Sequence, residues 1–119
     1  MRKPFDRREA ALSGVPHVNP PVRTEEKEEK LYVTVLYERP TWQCVLGADA
    51  TAERTFGLDE YGRLVYEFCN GERSVKTIIR MFSRETNVSR PEAERSVTEF
   101  MRTLMSKGLI GMEMDLPGS

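Results

Sequence analysis

The chain, 119 residues long, predicts an α+β domain in which a small antiparallel sheet of two or three strands comes first and three helices follow. Three observations carry this. Leu31-Tyr32-Val33-Thr34-Val35-Leu36-Tyr37 is dense in β-branched and aromatic residues. Thr51 to Leu58 alternates, with Arg54, Phe56 and Leu58 on one face and Glu53, Thr55 and Gly57 on the other. From Leu58 to Ile110, three amphipathic segments of helical period follow one another, each with a start and a stop signal.

Taken in order, residues 1–21 are polar and carry Pro4, Pro16, Pro20 and Pro21, which prevent long helices and central strands. They read as a flexible arm, with at most a marginal helix from Asp6 to Ser13, free to dock on a partner or to swap onto another copy. Val22 to Glu29 is a charge-rich approach to the strand Lys30 to Glu38. Arg39-Pro40-Thr41 breaks that strand, and Trp42 to Leu46 reads as a brief continuation whose Trp42 packs over the sheet edge. Gly47 to Ala50 is a loop before the strand Thr51 to Leu58.

The first helix opens at Asp59, whose carboxylate can accept from the free N–H groups of the first turn, and carries Tyr61, Leu64, Val65 and Phe68. Asn70-Gly71 ends it. The second opens at Ser74, places Val75, Ile78, Ile79 and Phe82 on one face, and loses its period at Thr86-Asn87. The third begins at Ser89-Arg90-Pro91-Glu92, a capping box with a proline where its missing N–H costs nothing. Its apolar face is Ala93, Val97, Phe100, Met101 and Leu104, and Lys107-Gly108 closes it. Strands followed by three short helices on tight turns suggest a winged helix-turn-helix-like bundle. Residues 22–112 form the expected domain, the Met112-Glu113-Met114 segment adds a few extended residues, and 113–119 form a flexible tail.

A net charge of −1 and a pI near 5.9 argue against a protein whose main task is to neutralise a phosphate backbone. Gly71 to Ile110 is mildly basic, eight Lys/Arg against five Glu, which describes a solvated surface before a DNA footprint. No apolar run reaches the roughly twenty residues of a membrane span, and no secretory signal is visible, so a cytoplasmic location is expected. Cys44 and Cys69 are expected to be reduced and buried. His17 is the single histidine, the cysteine spacing matches no metal motif, and no metal or cofactor is expected.

No catalytic constellation is legible either. Asp59 and Glu60 at a helix start are a cap and a dipole partner, Ser89 and Glu92 are a capping box, and Gly57 and Gly62 do not build a phosphate loop. What remains is a surface for binding. A sheet that ends on a short strand leaves unpaired N–H and C=O groups, which an extended peptide can satisfy by adding a strand.

The wording of the helical region resembles the PqqD family, the pyrroloquinoline quinone biosynthesis protein D type. The resemblance rests on Leu58-Asp59, on Asn70-Gly71-Glu72-Arg73-Ser74-Val75, on Ile78-Ile79, and on Phe100 through Gly108-Leu109-Ile110. It implies a noncatalytic recognition element for a ribosomally made precursor peptide. The peptide would lie in a groove between the last strand and the third helix and be delivered to a radical S-adenosylmethionine (SAM) enzyme or another modifying enzyme. The matching segments are Ala52 to Leu58 and Ala93 to Lys107. A longer arm and the Thr41 to Thr51 insertion depart from the shortest members.

The candidate peptide-binding residues on the strand are Arg54, Thr55, Phe56 and Gly57. With Ala93, Val97, Phe100 and Leu104 at the centre of the buried face of the third helix, one flank carries Glu94, Thr98, Met101 and Met105, and the other Ser96, Glu99 and Thr103. The apolar flank makes Thr98, Met101 and Met105 the candidates for side-chain pockets, with Arg95 and Arg102 as partners for acidic residues; the bland reading is that both methionines complete the core. Two other functions fit the same elements. A winged helix-turn-helix DNA-binding protein would use Arg90, Arg95 and Arg102, against the repulsion of Glu92, Glu94 and Glu99 on the same helix. A structural homodimer would pair through its edge strand or arm.

Overall fold

The computed structural model describes residues 11–38, 41–47 and 51–113. Their order is β1 (Val15–Val18), β2 (Arg23–Lys27), β3 (Lys30–Glu38), α1 (Thr41–Val45), β4 (Thr51–Leu58), α2 (Glu60–Phe68), α3 (Val75–Thr86), α4 (Arg90–Ser106) and β5 (Ile110–Glu113). The strands form two antiparallel sheets, one of order β2-β3-β4 and one in which β1 pairs with β5. The α+β class, the two strands over residues 30–38 and 51–58, and the three helix starts match the expectations from sequence.

The β3–β4 ladder runs from Leu31↔Leu58 to Glu38↔Thr51 and fixes which face each residue shows. Val33, Val35 and Leu58 turn inward and join Val65, Ile78, Phe82, Val97, Met101 and Leu104 in the core. Thr34 faces the other way and is also buried, which is tolerable because its hydroxyl and that of Thr55 lie 2.7 Å apart across the ladder. Tyr32 lies over its partner Gly57, where a Cβ would come within 3.0 Å of the ring.

Three expectations are corrected. Arg23–Lys27 is a strand, not an approach to one; all five residues are exposed, so neither face needed apolar residues and no alternation marked it. Its turn to β3 puts Glu28 and Glu29 at φ 53° and 67°, the left-handed pair of a two-residue hairpin, without the Asn or Gly that normally signals it. Trp42 to Leu46 does not continue the strand. Thr41–Val45 is helical, and Trp42 is 63% exposed, so it does not cover the sheet edge. With no strand paired to it among the described residues, the segment satisfies its backbone locally, as in the Leu46 N–H to Trp42 carbonyl bond of 3.3 Å.

The third correction concerns the arm. Val15–Val18 is a strand on β5, and Pro16 is fully buried. The Pro16 carbonyl accepts from the Gly71 N–H at 2.9 Å, Gly14 accepts from the Val75 N–H at 2.9 Å, and the Asn19 side chain donates to the Gly108 carbonyl at 3.0 Å. Proline is admissible because the Pro16 nitrogen points, like its carbonyl, away from β5 to the side where β1 makes only an isolated bridge, His17 to Asn70, and no ladder needs its N–H. The rest of the arm through residue 10, the Arg39-Pro40 break, residues 48–50 of the expected loop, the Cys44 side chain and the tail from residue 114 lie outside the described residues.

The caps hold as expected. Asp59 Oδ1 accepts from the Gly62 N–H at 2.7 Å, Ser74 Oγ from Thr77 at 3.2 Å and Ser89 Oγ from Glu92 at 3.4 Å. Asn87, Gly71 and Gly108 take positive φ after the three helices. Tyr61, expected on the apolar face of α2, is 49% exposed and only edges the core through the Phe82 ring 6.1 Å away. Gly62, Val65 and Tyr66 hold the buried positions instead.

Candidate functional site

β4 is an edge of its sheet. β3 pairs with one side of it, and among the described residues no strand pairs with the other; at its C-terminal end, beside Gly57 and Leu58, lies a groove of about 340 Å³. Gly57, Leu58 and Asp59 form one wall, Ser96, Glu99, Phe100, Thr103, Leu104 and Lys107 of α4 the other, and Gly62 of α2 lies at one end. The residues from α4 recur at intervals of three and four, one stripe of the helix. The floor is apolar, with Leu58 and Leu104 buried and Phe100 half-buried, and the rim is polar.

Local sequence explains the shape. A Cβ on Gly62 would stand 3.1 Å from Asp59 Oδ1 and 3.7 Å from the Phe100 ring, so glycine leaves that end of the floor open. The Asp59 carboxylate and the Phe100 ring are thus both neighbours of Gly62. At the opposite end, Lys107 Nζ lies 5.2 Å from the centre of the Phe56 ring. The Asp59 cap thus anchors α2 and also contributes to the wall at the point where β4 ends.

Of the candidates on β4, Gly57 lines the groove and Phe56 lies under Lys107. Arg54 stacks on Tyr37 at 3.9 Å, and Thr55 bonds Thr34. On α4 the structure brings the opposite flank to the groove from the one expected. Met101 is 2% exposed and belongs to the core, and Met105, 40% exposed, is not among the groove residues. Arg95, Thr98 and Arg102 surround a separate open depression with Pro91, Glu94 and Glu99. The physical reason is that the groove takes its apolar floor from the centre of the buried face, Phe100 and Leu104, so its flank could be polar. Glu99, Thr103 and Lys107 line this groove without having been among the candidates from sequence, since no apolar signal marks that flank.

The shifted titrations lie away from the groove. Burial pushes the Cys69 thiol up to about 12, and its Sγ donates to the Val65 carbonyl at 3.1 Å, so it is a packed thiol and not a nucleophile near neutral pH. Burial raises Tyr66, with Cys69 adding to the effect. Arg63 bonds Glu26 at 2.8 Å and Glu67 at 3.0 Å, tying α2 to β2; its guanidinium lowers the Glu26 carboxyl and is itself held more firmly protonated. Among the described residues no group of three or more His, Cys, Asp or Glu is placed to hold a metal ion, and no helix is long and apolar enough to cross a membrane.

Compared with known families, residues 35–110 match the family described as coenzyme PQQ synthesis protein D (PqqD). The match begins within β3 and ends at the first residue of β5, so it contains both walls of the groove and leaves out β1 and β2. No curated protein and no solved structure matches the chain.

Proposed function

The chain belongs to the PqqD family, and from that premise we propose that it binds a ribosomally made precursor peptide by strand addition to β4 and presents it to a modifying enzyme of the radical SAM type. The family is one of noncatalytic, peptide-binding accessory proteins associated with quinone-cofactor biosynthesis. The observation that carries the finer reading is that β4 has no second partner strand among the described residues and that its C-terminal end, Gly57 and Leu58, borders an apolar-floored groove against α4. An added strand would gain main-chain hydrogen bonds from β4, while every second side chain enters the groove. Arg54, Thr55, Phe56 and Gly57 supply the strand side of the site; Phe100, Thr103 and Leu104 supply the helix side. The winged helix-turn-helix-like disposition of α2, α3 and α4, a cytoplasmic location and the domain limits of residues 22–112, extended back to β1, belong to the same reading.

Thr103→Trp tests it. Thr103 is exposed at the groove rim, so an indole there fills the groove without entering the core. Calorimetric titration with the precursor peptide should show at least tenfold weaker binding and an unchanged melting curve; unchanged affinity would overturn the reading. The DNA-binding alternative has less support, because Arg95 and Arg102 share their depression with Glu94 and Glu99. A homodimer through β4 would compete with the peptide for one edge, so peptide should dissociate it.

A further inference from the structure

We propose, resting on the strand-addition reading, that the groove fixes the direction and charge register of its peptide. The bound segment runs antiparallel to β4 and carries a cation, an apolar residue two positions later and an anion two positions after that, all on the face toward α4. Two unlike ends of the groove carry this. At the Leu58 end, Asp59 and Glu99 both line the groove, with Asp59 and Phe100 as neighbours of Gly62. At the other end, Lys107 caps the Phe56 ring, and Arg54 follows on the same face of β4. The groove is therefore acidic where β4 ends and basic toward where β4 begins. Among the described residues neither Glu99 nor Lys107 is engaged in an ion pair, so both charges are available to a ligand.

The spacing follows from helix and strand geometry. Glu99 and Lys107 are separated along α4 by about 12 Å at 1.5 Å per residue. An extended peptide covers that in about four residues at 3.3 Å each, an even number that returns the side chain to the same face. The residue midway meets Phe100 and Leu104 and must be apolar. Direction follows from the sheet, in which each pairing is antiparallel, the arrangement that is slightly more stable per residue. An antiparallel peptide has its N-terminal side at Leu58, where Asp59 and Glu99 select the cation, and its C-terminal side at Lys107.

Random dodecapeptides displayed on phage, selected on the full chain and in parallel on the double variant Glu99→Lys, Lys107→Glu, test this. The strongest binders are then titrated into the isotope-labelled protein. The chain should enrich base-x-apolar-x-acid from N to C and the double variant acid-x-apolar-x-base. Exchanging the two targets should cost each peptide about tenfold in affinity, the sum expected for two exposed charge pairs. Glu99→Gln provides a milder variant should the double one not fold, and it should weaken the preference for the base while leaving that for the acid. Binders that shift the amides of residues 51–58 but show no charge order would overturn the register and leave strand addition standing. Binders that leave β4 unshifted, or no binders at all, would overturn both.

Discussion

Met101→Glu should unfold the domain at neutral pH, whereas Met105→Glu should leave it folded. Met101 is 2% exposed within the core and Met105 is 40% exposed. Losing the buried thioether costs about 1.5–3 kcal/mol. A carboxyl enclosed there stays protonated to well above its ordinary value, and holding it so at pH 7 costs about 4 kcal/mol, or about 1.4 kcal/mol for each of the nearly three pH units above its unfolded value. The total, about 5–7 kcal/mol, is comparable with the whole stability of a domain of this size. At the exposed site the change should stay within about 0.5 kcal/mol. The sign with pH is fixed. A folded pKa above the unfolded one gives a penalty that is absent below the unfolded value and grows as pH rises, so Met101→Glu should recover about 2–3 kcal/mol relative to wild type between pH 7 and pH 5. Urea denaturation followed by circular dichroism at both pH values measures this. A Met101→Glu protein with wild-type stability that has lost peptide binding would refute the placement of this residue in the core.

Three further outcomes are expected. Cys69, with its thiol pushed up to about 12 from an ordinary 9.0, should react with an alkylating agent roughly a thousandfold more slowly in the native protein than in urea; because the folded value is the higher one, stability is full below pH 9 and falls as pH rises toward 12. Asp59→Ala removes the acceptor 2.7 Å from the Gly62 N–H and should lower stability by about 1 kcal/mol in chemical denaturation. A chain beginning at Pro20 should be less stable than one beginning at Ala11 by on the order of 3 kcal/mol, since it lacks β1 with its buried Pro16 and half-buried Val18; equal denaturation midpoints would show that β1 does not hold β5.

The helices and the two long strands were legible because their signals are local. Asp59, Ser74 and Ser89 announce their helices by side-chain chemistry within three residues, and Val33, Val35 and Leu58 turn inward together because alternation fixes a face. β2 was hidden because a strand with both faces in solvent needs no pattern, and its turn is built from glutamates instead of Asn-Gly. β1 was hidden for a different reason. Its partner β5 lies at the far end of the chain, and the register Val15↔Glu113 is set by tertiary contact, while Pro16 alone argues for a loop. At the groove, the strand that borders it could be read and the helix flank that lines it could not. An apolar flank looked like a pocket, and only the packing shows that Met101 belongs to the core and that Phe100, Thr103 and Lys107 face β4.

The most direct test of strand addition is an amide NMR titration of the labelled protein with the short peptides encoded near its gene. Strand addition predicts shifts concentrated on residues 51–58 of β4 and on Glu99, Phe100, Thr103 and Lys107 of α4, with slowed hydrogen exchange along the open side of β4. Shifts confined to Arg95, Thr98 and Arg102, or a β4 that stays unprotected when peptide is bound, would contradict it.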